Sequence, residues 1–250
     1  MRNLFTIFRK EFRAFFLSPF GWVVLALVAA MQGWSMSGAM KALQDAPIRE
    51  SLVYIVFHMP HFWFYFLFIF PLITMRLFAE EERSGTLETL LTAPLRTWQL
   101  VLGKYGATLA FYLILWIPAL VQFQLFSILT NVPAPFSAGS LFGAFFLVFL
   151  MGSLFIAVGC LASSMTSSQI IAGVVTVGLL IIHYFLGYVT LIYSDRFPAA
   201  PLFRYLASNE HLRQFTKGLI DTRPIVYYLT AAAFVLFLTI QVINYRRWRN

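Results

Sequence analysis

Six stretches of this chain carry no Asp, Glu, Lys or Arg in their central parts: residues 20–39, 57–78, 105–130, 141–162, 169–192 and 225–245. A bilayer core is crossed by about 20 consecutive apolar residues in a helix, and each stretch is long enough. Lipid offers no partners to open backbone groups, so such runs must satisfy their own hydrogen bonds as helices. The expectation is an all-α membrane protein of six transmembrane helices. Composition agrees: 60% of the residues are hydrophobic and 11% charged, against about 45–50% and about 25% in soluble domains. One domain is read over 1–250, with no internal repeat and no room for a soluble catalytic domain. A single cysteine, Cys160, excludes a disulfide framework and any CxxC metal or redox pattern.

An even number of spans puts both ends on one side. With the ends inside, eleven Lys and Arg lie in inner segments and seven in outer ones, five of those seven in a single long outer loop. The positive-inside rule therefore places both termini in the cytoplasm. It also accounts for the net charge of +8 without nucleic acid, because the basic residues flank apolar runs. The cluster Tyr245, Arg246, Arg247, Trp248, Arg249 reads as an inner-interface anchor. Residues 1–19 differ from a cleaved signal: the charged part is long and dotted with Phe, and Met and Trp follow the first apolar run.

Those leading residues have a face. At helical spacing Leu4, Phe5, Phe8, Phe12, Phe15 and Phe16 fall on one arc, with Arg2, Arg9, Lys10 and Arg13 beside it. The pattern suits a helix lying in the interface, ended at Ser18 and Pro19. The alternative is a set of positive-inside residues spaced by chance. Segment 76–104 is the longest inner loop. The acidic run Glu80, Glu81, Glu82 leads to a break at Ser84, Gly85 and Thr86. Glu88 then sits in the first turn of a short helix, where a carboxylate favours the helix dipole. Pro94 stops that helix and Thr97 is placed to cap the next. Such helices across the foot of a bundle suit docking of a cytosolic partner, and equally an ordinary well-capped loop.

The string FAEEERSGTLETLLTAP at 78–94, followed by LGK at 102–104, resembles the hallmark of the ABC-type-2 permease family. Arg9, Lys10, Glu11 with Ser18 and Pro19 are similar to the family's N-terminal elbow helix. The outer stretch 203–230, with Lys217 to Asp221 leading into Tyr227 and Tyr228, resembles the gliding-motility and copper-enzyme-maturation subgroup. The resemblance implies a bacterial inner-membrane exporter subunit, dimeric with an identical or a second permease chain and driven by a separate cytosolic ABC ATPase. It implies that Glu80, Glu81, Arg83, Gly85, Thr86 and Glu88 meet the ATPase, with Lys10 and Glu11 beside them. The inner turn 162–169 matches a second, smaller contact. An extracytoplasmic auxiliary subunit is a further partner it allows. No catalytic residue, cofactor or metal of its own is implied.

The remaining features bear on rival functions. No span carries a paired intramembrane charge of the kind that marks a proton or sodium relay, and no GxxxxGK[ST] loop supplies nucleotide chemistry. This disfavours a stand-alone carrier, while a mechanotransmission or scaffolding subunit of gliding type stays open. His58 and His61 lack a third metal ligand nearby and read as an interface pair among aromatics. His183 in span five reads as a lone polar contact between helices. Span two, with Phe62, Trp63, Phe64, Phe66, Phe68 and Phe70, is expected to face lipid on most sides. Small residues in spans four and five, Gly143, Gly152, Gly159 and Gly173 among them, predict close helix packing. The loop 193–224 is too apolar for free solution and is expected to carry one or two short helices against the outer leaflet.

Overall fold

The computed structural model describes residues 2–45, 50–92, 95–130, 136–189 and 200–249, and among these there is helix and no strand. Helices α1 (Arg2–Leu17) and α2 (Pro19–Asp45) meet at Ser18. Then come α3 (Leu52–His58), α4 (Pro60–Thr74), α5 (Ala79–Arg83), α6 (Thr86–Thr92), α7 (Thr97–Leu115) and α8 (Ile117–Thr130). The chain continues through α9 (Ala138–Ser164), α10 (Gln169–Leu186), α11 (Ala200–Leu206), α12 (Ser208–Thr216) and α13 (Thr222–Arg249). Six apolar helical stretches are long enough to cross a membrane: Pro19–Leu43, Pro60–Arg83, Thr97–Phe126, Ala138–Ser164, Gln169–Leu186 and Thr222–Arg247. They coincide with the six runs read from hydropathy. Span three starts at Thr97, not at residue 105, which brings Lys104 inside it.

Spans two and four form the centre. Helix α9 packs on α4, α7, α10 and α13, and α4 packs also on α2. The expectation that span two faces lipid on most sides is wrong. Phe62, Phe66 and Phe70 recur every fourth residue, so they share one helix face, and all three are fully buried. Phe64 and Phe68 point outward. The buried three meet Trp116, Tyr112 and Phe155 with ring centres 5.1–6.2 Å apart. Since lipid tails are as apolar as Phe, this core is held by close packing and not by escape from solvent. Opposite the rings, Tyr112 inserts over Gly152, leaving no room for a Cβ there, and its hydroxyl donates to the Val148 carbonyl at 2.9 Å.

Two helix breaks, one at the start of span two and one inside span three, lie next to prolines. Ser51 caps α3 by accepting from the Tyr54 N–H, and Met59, held extended before Pro60, divides α3 from α4. In span three Trp116 separates α7 from α8 two residues before Pro118. The Leu115 carbonyl at that break accepts from the Gln32 amide of span one at 3.0 Å. Buried backbone inside a membrane is thus re-satisfied by a neighbouring helix.

The long loop between spans five and six is anchored by α12, which buries Ser208, His211, Leu212, Phe215 and Thr216 against α9 and α3. Lys217, just beyond it, pairs with Glu50 at 3.2 Å and lies 5.2 Å from the Tyr54 ring. Residues 193–199 of that loop, Pro94, Arg49 and Arg196 lie outside the described residues.

Candidate functional site

Helix α1 lies directly on span three. A Cβ at Gly103 would come within 2.9 Å of the Ile7 side chain and 3.2 Å of the Leu4 carbonyl, so only glycine permits this approach. Phe15 stacks on Phe111 of the same span at 4.3 Å. The arc of aromatics read from the sequence is therefore divided. Phe5, Phe8, Phe12 and Phe16 form a ladder of rings along the helix, while the residue buried deepest on the α7 side is Ile7, which that arc did not include.

That close seat brings Lys104 to α1. Its side chain is 2% exposed, and its Nζ donates to Glu11 Oε1 of α1 at 3.1 Å and to Glu81 Oε1 of α5 at 2.9 Å. Glu11 and Glu81 are themselves 15% and 13% exposed. Lys10, mostly exposed, closes the outer side of the cluster at 3.5 Å from Glu11 and 3.9 Å from Glu81. Three separate segments are thus joined by one buried cation: α1, α5 and span three.

The rest of the loop is tied down by neighbours. The helix of span two opens at residues 75–78, freeing backbone groups at its foot. Ser163, at the end of span four, takes them up: its Oγ accepts from the Phe78 and Ala79 N–H groups at 3.1 Å each and donates to the Met75 carbonyl. Glu80 is bound by Arg76 in a fork, through Nε and Nη2, at 2.8 and 3.2 Å. Glu82 pairs with Arg246 of span six. Gly85 then reverses the chain with φ +70°, a conformation that other residues adopt at a cost. Ser84 and Thr86 share a hydroxyl contact of 2.9 Å across this turn. Helix α6 buries Leu87 and leaves Thr86, Glu88 and Thr89 exposed.

Residues 46–209 match the family model described as ABC-2 family transporter protein. The chain belongs to that family. The ABC-2 match takes in spans two to five and the whole loop just described, and it names the family without a subgroup. Comparison with curated proteins finds no match. As an ABC-2 protein the chain is a permease subunit of an ABC transporter and a multi-pass membrane protein, consistent with the bacterial inner membrane. Membership implies a partner ABC ATPase and pairing of permeases in the membrane.

Within this ABC-2 chain the eight residues singled out from the sequence divide in two. Glu80, Arg83, Gly85, Thr86, Glu88 and Lys10 are on the surface, while Glu11 and Glu81 turn inward onto Lys104. Lys104, Ser163 and Arg246 were not among the eight. An intramembrane charge is the signal that finds Lys104, and a span boundary set at residue 105 hid it. Ser163 and Arg246 are brought in only by tertiary packing. Thr97 does not cap α7: the cap position is Arg96, whose N–H is taken by the Gln99 side chain at 3.2 Å.

The histidines have defined partners. His58 stacks on Tyr54 and bonds its carbonyl through Nδ1 at 2.8 Å, and burial lowers its imidazole below the ordinary range. His61 lies against Trp34. His183 is not a lone contact. Its Nε2 meets Ser208 Oγ at 2.9 Å, Ser208 meets the Tyr228 hydroxyl at 3.0 Å, and that hydroxyl meets His211 Nδ1 at 3.2 Å. This chain joins span five, α12 and span six.

Proposed function

We propose that this permease subunit couples ATP hydrolysis on a cytosolic ABC ATPase to export, and that the movement enters through α5, α6 and the elbow. The observation that carries this reading is Lys104, which bonds Glu11 of the elbow and Glu81 of the loop at once. The exposed side of α6, with Gly85, Thr86 and Glu88, is the docking surface, and both chain termini lie on the ATPase side. Arg83 and Glu80 flank that surface. The elbow lies in the inner interface, its ring ladder at the acyl boundary and Arg9, Lys10 and Arg13 toward the headgroups.

Mechanically, a docked ATPase that closes on ATP pushes α6. The push passes through α5 into the Lys104 cluster, which moves α1 and span three together, and through the Glu82–Arg246 pair into span six. Ser163 gives span four a share of the same displacement. Two arrangements of the spans are thereby biased by events at one loop. The role of Glu81 and Glu11 is internal transmission, not contact with the ATPase surface.

Co-purification tests the docking surface. From native membranes solubilised in mild detergent, the wild-type chain is expected to recover a soluble ABC ATPase in stoichiometric amount. Glu88→Lys reverses the charge on the exposed side of α6 and is expected to lose the ATPase while the chain remains folded. Equal recovery with wild type and Glu88→Lys would overturn the assignment of α6.

A further inference from the structure

A cleft of about 250 Å³ opens between the elbow and the end of span two. Phe15 and Phe20 line one side, and Leu72 and Ile73 the other. Arg76 and Glu80 line it where the apolar run ends, the guanidinium lying 5.4 Å from the Phe20 ring centre as well as on the Glu80 carboxylate. Glu11, held by Lys104, reaches the same lining.

Position, size and charge define what fits. The cleft sits where span two passes from apolar to charged residues, level with the polar boundary of a bilayer. Sites for whole drug-sized ligands run about 300–1,000 Å³, so this one accommodates a chain segment and part of a headgroup. Of its three charged groups Glu11 is taken by Lys104; the other two are of opposite sign, adjacent, and each nearly half exposed, 40% for Arg76 and 48% for Glu80. That arrangement complements a ligand carrying an anion and a cation a few atoms apart. Arginine keeps further N–H donors beyond those given to Glu80, in a fork that suits phosphate. The carboxylate accepts from an ammonium group. An acyl chain gains little by exchanging lipid neighbours for apolar walls, so discrimination lies in the headgroup.

We propose that the cleft binds one zwitterionic aminophospholipid. Its phosphate is held by Arg76, its ammonium by Glu80, and one acyl chain passes between Phe20 and the pair Leu72 and Ile73. The lipid braces the elbow against span two, separately from Lys104. This requires only that the chain sits in a bilayer, so failure of the ATPase-docking reading leaves it standing.

The test is native mass spectrometry of the full chain, delipidated in detergent and incubated with dioleoyl phosphatidylethanolamine, phosphatidylcholine or phosphatidylglycerol. One phosphatidylethanolamine per chain is expected, in preference to phosphatidylcholine, whose methylated ammonium has no N–H for Glu80, and to phosphatidylglycerol. Losing a charge-assisted contact in Arg76→Gln is expected to lower retention about tenfold. Leu72→Trp fills the cleft without touching a charge and is expected to abolish retention. Glu80→Gln keeps binding but loses the preference for phosphatidylethanolamine. Retention in Arg76→Gln and Leu72→Trp equal to wild type overturns the site, and wild type holding phosphatidylcholine as tightly overturns the headgroup assignment.

Discussion

Replacing Lys104 by Met removes the buried cation shared by α1 and α5. The side chain is 2% exposed and bonds Glu11 and Glu81 at 3.1 and 2.9 Å. Without it two largely buried carboxylates face each other, and Glu81 Oε2 already lacks a protein donor. Removing one member of a buried pair costs about 3–5 kcal/mol, because the stranded charge is what remains. The slight exposure of both carboxylates places the loss near 3 kcal/mol. Lys10, mostly exposed, offsets little of it, since exposed pairs contribute about 0–1 kcal/mol. Thermal unfolding in detergent reads the change at about 2–4 °C per kcal/mol for a chain of this size. The uncharged triple variant Lys104→Met, Glu11→Gln, Glu81→Gln is expected to recover most of the melting temperature, because it leaves no uncompensated charge. It is not expected to recover transmission: ATPase should still co-purify, without the response of its turnover to the permease. A single variant that melts with wild type, or a triple variant no more stable than the single, would refute the electrostatic reasoning.

Ser163→Ala deprives the Phe78 and Ala79 N–H groups of their acceptor, and a buried unsatisfied donor costs about 1–3 kcal/mol. A lowered melting temperature checks it, with Ser163→Thr restoring the hydroxyl as control. His211 supplies a pH dependence. Burial pushes its imidazole down to about 4 from the usual 6.5, outweighing Glu210 and Asp221, which act the other way. The unfolded chain therefore binds more protons between those values, so stability is highest above pH 6.5 and falls as pH drops toward 4, by up to about 3 kcal/mol. Unfolding measured from pH 7.5 to 4 should flatten in His211→Phe.

Apolar runs without charges made the six helices legible, since an unbroken run of about 20 apolar residues hides its backbone in lipid as a helix. The loop was legible as a motif because its acidic run, glycine turn and short helix are local. What escaped was the direction of side chains. Glu80, Glu81 and Glu82 are neighbours in sequence, yet one meets Arg76, one Lys104 and one Arg246. Three consecutive residues on a helix point about 100° apart, and only the positions of spans three and six decide what each finds. The same holds for span two, where hydropathy is alike for Phe64 and Phe66 but only Phe66 faces α9. His183 was misread because Ser208 and Tyr228 are remote in sequence and signal nothing by themselves.

The Lys104 cluster and the Glu82–Arg246 pair also set an order of assembly. Residues 11, 81 and 104 have all left the ribosome long before residue 246, an interval on the order of ten seconds at about 5–20 residues per second. Elbow, loop and span three can lock as soon as Lys104 enters the bilayer, while the link to span six waits for translation of the sixth helix. If α6 is the docking surface proposed above, the nascent permease presents it during that interval without the Glu82–Arg246 link, and an ATPase arriving early would find a handle not yet attached to the last helix.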